Sequence, residues 1–428
     1  MANLLGSLHS AASGMRASQI AIQTTSHNVT NMNTPGYTRQ RVEQSANRPF
    51  SQPGLNSHLG AGQLGTGVQV NDITRIRNSF YDFQFRSESH SYGDVSVKND
   101  YYKSMEIIFD EPSNNSISSS LNKFFNGWNE LSKDPNNVGA KNIAIENAKY
   151  LANNINKVSK KLETLQENLN KQSEDILSSV NQSLSSLQEL EKSIKIVEAT
   201  GKSPNDLLDE RDRILDDLSF KINIYDDDVK AAMQDGKLEQ TEVDKLIKDN
   251  KLSGELGATA EMNKEIDKYK EKVEELAKVI ASNVNKVAGQ EIFIFDAKGD
   301  EMLSVNPEIL EDVSKLEMTS DLATELYKLK DKKVTFGEAP NEKQLTINNF
   351  YNNTIQELGK ASQTVIRQET NQGKLLASID KSRMSVAGVA LDEEMINLVQ
   401  FQHAYNASAK VVSTVDALLD VVINGLIR

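Results

Sequence analysis

An apolar residue recurs every seven positions along residues 1–29 and again along residues 391–428. The first series is Met1, Leu8, Met15, Ile22 and Val29. The second series is Leu391, Leu398, Tyr405, Val412, Leu419 and Leu426, with Phe401, Val415 and Val422 between its members. A period of seven places these side chains along one narrow face of an α-helix. Each end of the chain is therefore predicted to be a long helix with a single apolar seam.

Both end segments contain a long stretch that is almost free of charge. The first 35 residues contain one charged side chain, Arg16, although charged residues make up 25% of the whole chain. Residues 395–409 carry no formal charge. A helix with so little charge around its circumference is not built as ordinary solvent-facing surface. We therefore expect both ends to be assembly surfaces.

The magnitudes indicate that neither end helix is stable alone. Burying Leu8, Met15, Ile22 and Val29 completely would contribute on the order of 6–12 kcal/mol. Ordering about 29 residues costs roughly 1–2 kcal/mol for each residue, and isolated helices are marginal in water. Each seam needs a second seam, which the other end of the chain can supply. We predict a coiled-coil-like pair of the first and last helices, with further copies packing on its remaining surface.

A turn is predicted directly after the first helix. Pro35 cannot continue a helix and disfavours helix at Thr34, while Gly36 readily takes a positive φ. The sequence Thr34-Pro35-Gly36-Tyr37 therefore predicts a type II turn. Residues 38–66, rich in Gly, Gln, Asn and Ser, predict extended or irregular chain.

Helical periodicity dominates the chain beyond residue 93. One long seam, interrupted by a single four-residue step, is formed by Ile155, Val158, Leu162, Leu165, Leu169, Ile176, Val180, Leu187 and Ile194. Helices are also predicted at 260–288 and 344–382, short strands near 68–76, and a hairpin across 290–306. The predicted fold class is mainly α, with long helices, a few short strands or hairpins and a small inserted segment.

Composition changes sharply near residue 90. Residues 1–90 contain seven Arg and no Lys, and all 36 Lys lie beyond them. Between 226 and 257, Asp- and Gly-containing turns interrupt the helical pattern. We predict three units from these boundaries. They are a terminal domain, 1–90 with 383–428; a helical bundle, 91–225 with 258–382; and a small insertion, 226–257.

No motif in the sequence indicates catalysis, a cofactor or a metal ion. The chain has no Cys, and its five His residues are dispersed without ligand spacing. A net charge of −13 argues against nucleic acid as the main partner. The longest uncharged runs are too polar to enter a membrane. We expect neither an enzyme nor a membrane-inserted protein.

Two charged runs have structural interpretations. The acids at 392–394 are interpreted as interacting favourably with the positive end of a helix. The run at 209–213 is interpreted as a solvated, salt-bridged helix turn. Trp128, with Phe124 and Phe125 at helical spacing, is interpreted as core.

Five stretches, in the same order along the chain, resemble sequences of a known protein family. They are Asn31-Met32-Asn33-Thr34-Pro35-Gly36-Tyr37 with the following Thr38-Arg39-Gln40; residues 65–86, from Gly65-Thr66-Gly67-Val68 to Arg86; residues 121–131 around Trp128; residues 207–219, beginning Leu207-Leu208-Asp209-Glu210-Arg211-Asp212; and residues 385–411. Together this ordered set resembles the bacterial flagellar axial proteins, the family of rod, hook and hook-associated proteins. Its similarity is to the hook-associated branch of that family.

This resemblance implies a structural subunit at the junction of hook and filament. It implies export from the cytoplasm by the flagellar type III apparatus with a chaperone, and an extracellular place in the flagellum. The implied partners are further copies in a ring, the hook protein and a second junction protein. Besides the two seams, the implied assembly residues are those of the turn, Asn33, Thr34, Pro35, Gly36 and Tyr37. Outer domains common in the family are replaced here by the short segment 226–257.

Two alternatives stay open from the sequence. Another axial protein, such as hook or rod, shares the terminal motifs, although the Trp128 segment and the long central helix argue against it. A secreted cell-wall hydrolase carrying axial-type ends is the alternative from a different class. It would need paired acids in a concave site, for which residues 226–257 are too short.

Overall fold

The computed structural model describes residues 2–47, 65–234, 236–297, 299, 301–337 and 342–424. Much of the predicted irregular segment lies outside the described residues, as do the seam positions Met1 and Leu426. Among the described helices, none combines the length and the apolar character needed to cross a membrane.

Most of the described chain is helical. In chain order the helices are α1 (Ala2–Asn31), α2 (Ser79–Phe109), α3 (Ile117–Lys133), α4 (Val138–Glu198), α5 (Asn205–Lys221), α6 (Asp227–Ala232), α7 (Gln240–Lys248), α8 (Glu255–Ala288), α9 (Pro307–Glu311), α10 (Ser320–Lys328), α11 (Ile347–Ala387) and α12 (Leu391–Asn424). The strands pair as antiparallel hairpins: β1 (Gln40–Ala46) with β2 (Val68–Arg75), β3 (Phe293–Phe295) with β4 (Leu303–Val305), and β5 (Val334–Phe336) with β6 (Lys343–Leu345). The predicted mainly α fold is confirmed.

The first and last helices pack against each other along their length. Asn28 of α1 donates a hydrogen bond to Glu394 at the start of α12, and Gly14 lies beside Ser408 further along. The contacts advance in opposite directions along the two helices, so α1 and α12 are antiparallel. The predicted pairing of the two ends is therefore present within one chain. We call α1 and α12 together the terminal pair.

The rest of the helices form what we call the helical body, residues 79–387. Its spine is α4, 61 residues long. All members of the predicted α4 seam are buried except Leu165, which is partly buried against the core. The seam is continuous because both halves of α4 have apolar neighbours.

Two apolar clusters lie along this spine. The first half of α4 packs with α2, α3, α8, α10 and α11 around Trp128, which is fully buried with Phe124 and Phe125. This confirms the interpretation of the aromatic group as core. The second half of α4 packs with α5, α6 and α7. Residues 226–257 thus contribute Val229, Leu238 and other apolar side chains to a buried cluster.

Some elements differ from the expectations. Helix α2 begins at Ser79, well before residue 93, because Asn78 caps its first turn by accepting a hydrogen bond from the Phe80 N–H. Strand β1 occupies part of the segment expected to be extended or irregular. The hairpin of β5 and β6 was not predicted, since three-residue strands have too few positions to show alternation.

Candidate functional site at the base of the terminal helix pair

The face of α1 that is buried most completely is made of small and polar residues. Its members are Ala17, Ser18, Ala21, Thr24, Thr25 and Asn28. The seam residues Leu8, Met15, Ile22 and Val29 are only half-buried. Small side chains allow the helix backbone to approach its neighbours closely, as Gly14 shows: a Cβ there would lie 3.3 Å from the Ser408 hydroxyl oxygen.

Helix α12 keeps much of its apolar surface accessible. Of its predicted assembly residues, Val415 is buried and Leu391 is 42% exposed. The others are half-buried: Leu398, Phe401, Tyr405, Val412, Leu419 and Val422. A further apolar set, absent from the predicted seam, is largely exposed: Met395, Ile396, Val399, Val411, Leu418 and Val421. These residues point away from the seam, so the terminal pair presents apolar surface on its outer side.

The predicted turn lies at the end of α1 where the chain enters the body. The Tyr37 N–H donates a hydrogen bond to the Thr34 carbonyl at 3.2 Å, and Gly36 has a φ of 81°. These are the features of a type II turn, as predicted. Asn33, Thr34, Pro35 and Gly36 are exposed, while Tyr37 is half-buried.

Asn28 fastens the chain after the turn back onto α1. Its side chain donates to the Gln40 carbonyl oxygen at 2.9 Å and accepts from the Gln40 N–H at 2.9 Å. The Tyr37 hydroxyl also donates to the Asn28 side-chain oxygen, at 2.8 Å. Burial raises the pKa of Tyr37, and the carboxylates of Asp206, Asp209 and Glu394 raise it further, so Tyr37 stays a donor at neutral pH.

Arg39 and Glu394 bring the start of α12 to the same point. The Arg39 Nε donates to Glu394 at 2.7 Å, and its Nη1 donates to Glu393 at 2.9 Å. Glu394 also accepts from the Asn28 side-chain amide at 3.0 Å. We call Asn28, Tyr37, Arg39, Gln40 and Glu394 the polar base of the terminal pair.

A second polar group joins the β1–β2 hairpin to the helical body. We call it the arginine–aspartate cluster; it consists of Arg75, Arg77, Arg86, Arg383, Asp82, Asp209, Asp212 and Asp216. Arg75 Nη1 donates at 2.8 Å to both Asp209 and Asp212. Asp209 also accepts from the Thr38 N–H at 2.9 Å, which links the cluster to the chain just after the turn.

The remaining ion pairs extend the cluster across three helices. Arg77 binds Asp82 through two hydrogen bonds of 2.6 and 2.9 Å. Asp216 of α5 accepts from Arg86 of α2 and from Arg383 of α11, each at 2.6 Å. The cluster therefore ties α2, α5 and α11 to the hairpin.

Charge balance keeps these buried groups ionised. Burial alone would raise the pKa of Asp212, but the guanidinium groups of Arg77, Arg75 and Arg86 outweigh it and hold the pKa below its ordinary value. Burial likewise opposes the charge on Arg86, yet the Asp216 and Asp212 carboxylates raise its pKa. Each charge is stable because its neighbours carry the opposite sign.

The interpretation of the run at 209–213 needs correction, whereas the acids at 392–394 do lie in the first turn of α12 and only Glu394 has a further role. Asp209 and Asp212 are buried rather than solvated, whereas Glu210 and Arg213 form the expected exposed pair. Glu394 is buried and hydrogen-bonded across the interface, beyond any interaction with its own helix end. The sequence did contain a signal for the cluster, since Arg without Lys favours bidentate, buried ion pairs.

In the described part of the chain, no group of three or more His, Asp or Glu side chains is arranged to hold a metal ion. The geometry of the site serves to fix elements in place, through charge-assisted hydrogen bonds and a nearly uncharged helix pair.

Comparison with protein families matches both the ends and the middle of the chain. Residues 102–237 match the family described as the flagellar hook-associated protein FlgK helical domain. Residues 8–38 match the flagella basal body rod protein family, and residues 381–425 match the flagellar basal body rod FlgEFG protein C-terminal family. The two rod-type matches contain Asn28, Tyr37 and Glu394 of the polar base, and the first match ends one residue before Arg39.

Individual proteins were also compared with the chain. Flagellar hook-associated protein 1 of Bacillus subtilis is 29% identical over 503 aligned positions, covering 98% of each chain. That of Salmonella typhimurium is 27% identical over 54% of this chain and 39% of its own length. A solved structure of the flagellar hook junction protein FlgK from Burkholderia pseudomallei shares 17% identity, with a TM-score of 0.39 over 50% of this chain and 47% of that one. By these sequence matches, the chain is similar along nearly its whole length to flagellar hook-associated protein 1.

Proposed function

We propose that this chain is a structural subunit joining hook to filament in the bacterial flagellum, and that it assembles through its terminal pair. The observation that carries the proposal is the outer side of α12, where Ile396 is 67% exposed and Val421 is 63% exposed on a helix with few charges. Apolar surface of this kind is unfavourable in a free molecule and favourable between packed copies.

The family matches support a place among the axial proteins. Rod-type matches at both ends fit a shared mode of assembly, and the helical-domain match in the middle favours the hook-associated branch over hook or rod. The role is structural rather than enzymatic in this proposal. The subunit lies outside the cell after export by the flagellar type III apparatus with a chaperone.

The partners follow from the same arrangement. Copies of the chain form a ring, with terminal pairs packed side by side, the hook protein on one side and the second junction protein on the other. The seams and the exposed turn at residues 33–36 contact neighbouring subunits. In domain terms, residues 1–90 with 383–428 form the inner part, residues 91–225 with 258–382 face outward, and residues 226–257 replace a larger outer domain.

Paired substitutions on exposed isoleucines test this proposal. Ile396→Asp places a charge on the outer side of α12, and Ile196→Asp places one on α4, where the isoleucine is equally exposed at 69%. Both isoleucines lie mostly at the surface, so both purified variants should remain folded. In bacteria whose own copy of the gene is replaced, Ile396→Asp should give hooks without filaments, whereas Ile196→Asp should give normal flagella.

Electron microscopy of isolated flagella provides the measurement, with immunogold labelling of the chain at the distal end of the hook. Normal filaments on Ile396→Asp cells would contradict assembly through α12. Label along the whole filament, or within the basal body, would contradict a junction role.

A further inference from the structure

Glu394 is unusual among the charged residues of the terminal pair. It is 1% exposed, whereas all other charged residues of α1 and α12 within the described range are exposed: Arg16, Asp392, Glu393, Lys410, Asp416 and Asp420. In the described part of α12, Val415 is the other buried residue. A carboxylate buried at the start of a mostly accessible helix requires a specific reason.

The hydrogen bonds to Glu394 come from two other parts of the chain. Arg39 Nε, after the turn, donates at 2.7 Å, and the Asn28 amide of α1 donates at 3.0 Å. The Arg39 N–H also donates to the Ala387 carbonyl at the end of α11, at 2.9 Å. The carboxylate is therefore held at the point where α1, the turn, α11 and α12 meet.

Apolar contacts alone do not fix how far α12 slides along α1. A seam with a period of seven presents a similar face again after a shift of seven residues, so several registers bury comparable apolar area. Small residues on the buried face of α1 add close contact but little discrimination. A buried ion pair is different, because a shift would withdraw Glu394 from Arg39 and Asn28 and leave charges unpaired.

We propose that Glu394 is the positioning residue that sets the register of the terminal pair and fixes that pair to the helical body. The observed contacts agree with a single register. Asn28 meets Glu394, and Gly14, fourteen residues earlier, meets Ser408, fourteen residues later. The register that is set at the polar base is therefore kept fourteen residues away, where Gly14 meets Ser408.

The chain provides its own reporters for this proposal. It contains no Cys, so Gly14→Cys with Ser408→Cys creates a disulfide pair specific to the observed register. Gly14→Cys with Val415→Cys, seven residues further along α12, is the off-register pair. The single Trp, Trp128, is buried in the body, and its fluorescence reports whether the body stays folded.

In the purified full-length chain, the Gly14–Ser408 pair should form a disulfide rapidly under mild oxidation, and the off-register pair slowly. Adding Glu394→Gln should slow the first reaction about tenfold, which corresponds to about 1.4 kcal/mol of lost preference. Trp128 emission should not change. Glu393→Gln is the matched control, because Glu393 also pairs with Arg39 but its side chain is 63% exposed, and it should leave both reactions unchanged.

Three results would overturn the proposal. One is equal disulfide formation in the parent and in Glu394→Gln. Another is a parent chain in which the two cysteine pairs react at the same rate. The third is a Glu394→Gln variant whose Trp128 emission shifts towards that of the unfolded chain, which would make Glu394 a residue of general stability. The assay uses the isolated chain, so its outcome is independent of whether the chain joins hook to filament.

Discussion

At the residue scale, arginine supplies every cation of the polar base and the arginine–aspartate cluster. A guanidinium group can bind two carboxylates at once, as Arg75 does with Asp209 and Asp212, and it tolerates partial burial better than an ammonium group. Asparagine has a comparable role towards the backbone. Asn28, Asn156 and Asn181 each bind both the N–H and the carbonyl of one residue in another part of the chain.

Asp212 should contribute far more to stability than its neighbour Glu210. Asp212→Ala would leave Arg75, Arg77 and Arg86 short of a buried carboxylate and lower the free energy of unfolding by about 3–5 kcal/mol. Glu210→Ala, on the same helix, removes a pair that is about half exposed and should cost no more than about 1 kcal/mol. Urea unfolding followed by circular dichroism measures both.

Acid should reduce the difference between the parent and Asp212→Ala. In the folded chain the pKa of Asp212 lies below its ordinary value of 3.8. The stabilisation that the ionised carboxylate provides is therefore complete at pH values above 3.8. It is lost as the pH falls through the folded pKa, because the unfolded chain binds the proton first. If Asp212→Ala and Glu210→Ala lowered the free energy of unfolding equally at neutral pH, the arginine–aspartate cluster would contribute no more than a surface ion pair.

At the element scale, the chain leaves helical structure where two backbone segments pass close to each other. Helices α5 and α8 both pack on α2 and on α4, with residues 222–254 between them. At this interruption the Phe220 carbonyl lies against Gly93 of α2, and a Cβ at Gly93 would overlap it. Gly254, with a φ of 93°, sits against the same stretch.

Two glycine substitutions should therefore have opposite signs. Gly93→Ala should lower the free energy of unfolding by about 1–3 kcal/mol, because the new methyl group overlaps backbone that cannot move freely. Gly359→Ala, in the interior of α11 with no atom within 4 Å of the new Cβ, should raise it by about 0.5–1 kcal/mol, since alanine favours helix. Thermal unfolding compares the two, and stabilisation by Gly93→Ala would contradict the close approach.

At the scale of the whole molecule, a body with its own buried core carries a terminal pair whose largest interface is internal to the pair. The two parts differ in how they are stabilised. The body contains the fully buried aromatic and aliphatic side chains, whereas the pair combines half-buried seams with a polar base. The terminal pair should therefore be able to unfold while the helical body stays folded.

Removing α12 tests this independence. In a chain ending at residue 390, α1 loses its main neighbour, and a helix of this kind is marginal alone. The number of helical residues should fall by more than the 34 residues of α12. The loss should approach a value that also includes the 30 residues of α1. Circular dichroism measures the loss, and Trp128 fluorescence should be unchanged. A loss limited to α12 would show that the β1–β2 hairpin is enough to hold α1.

Local patterns in the sequence determined the type and extent of most long elements. The period of seven gave α1 and α12, the long seam gave α4, and Pro35 with Gly36 gave the turn, because each depends on residues close together in the chain. Which groups meet was decided by the tertiary structure. Asn28 and Glu394 are 366 positions apart, and nothing near either residue specifies the other. Burial of Asp209, Asp212 and Glu394 likewise depends on cations that folding brings from distant segments, so charged runs that resemble solvated turns became internal ion pairs.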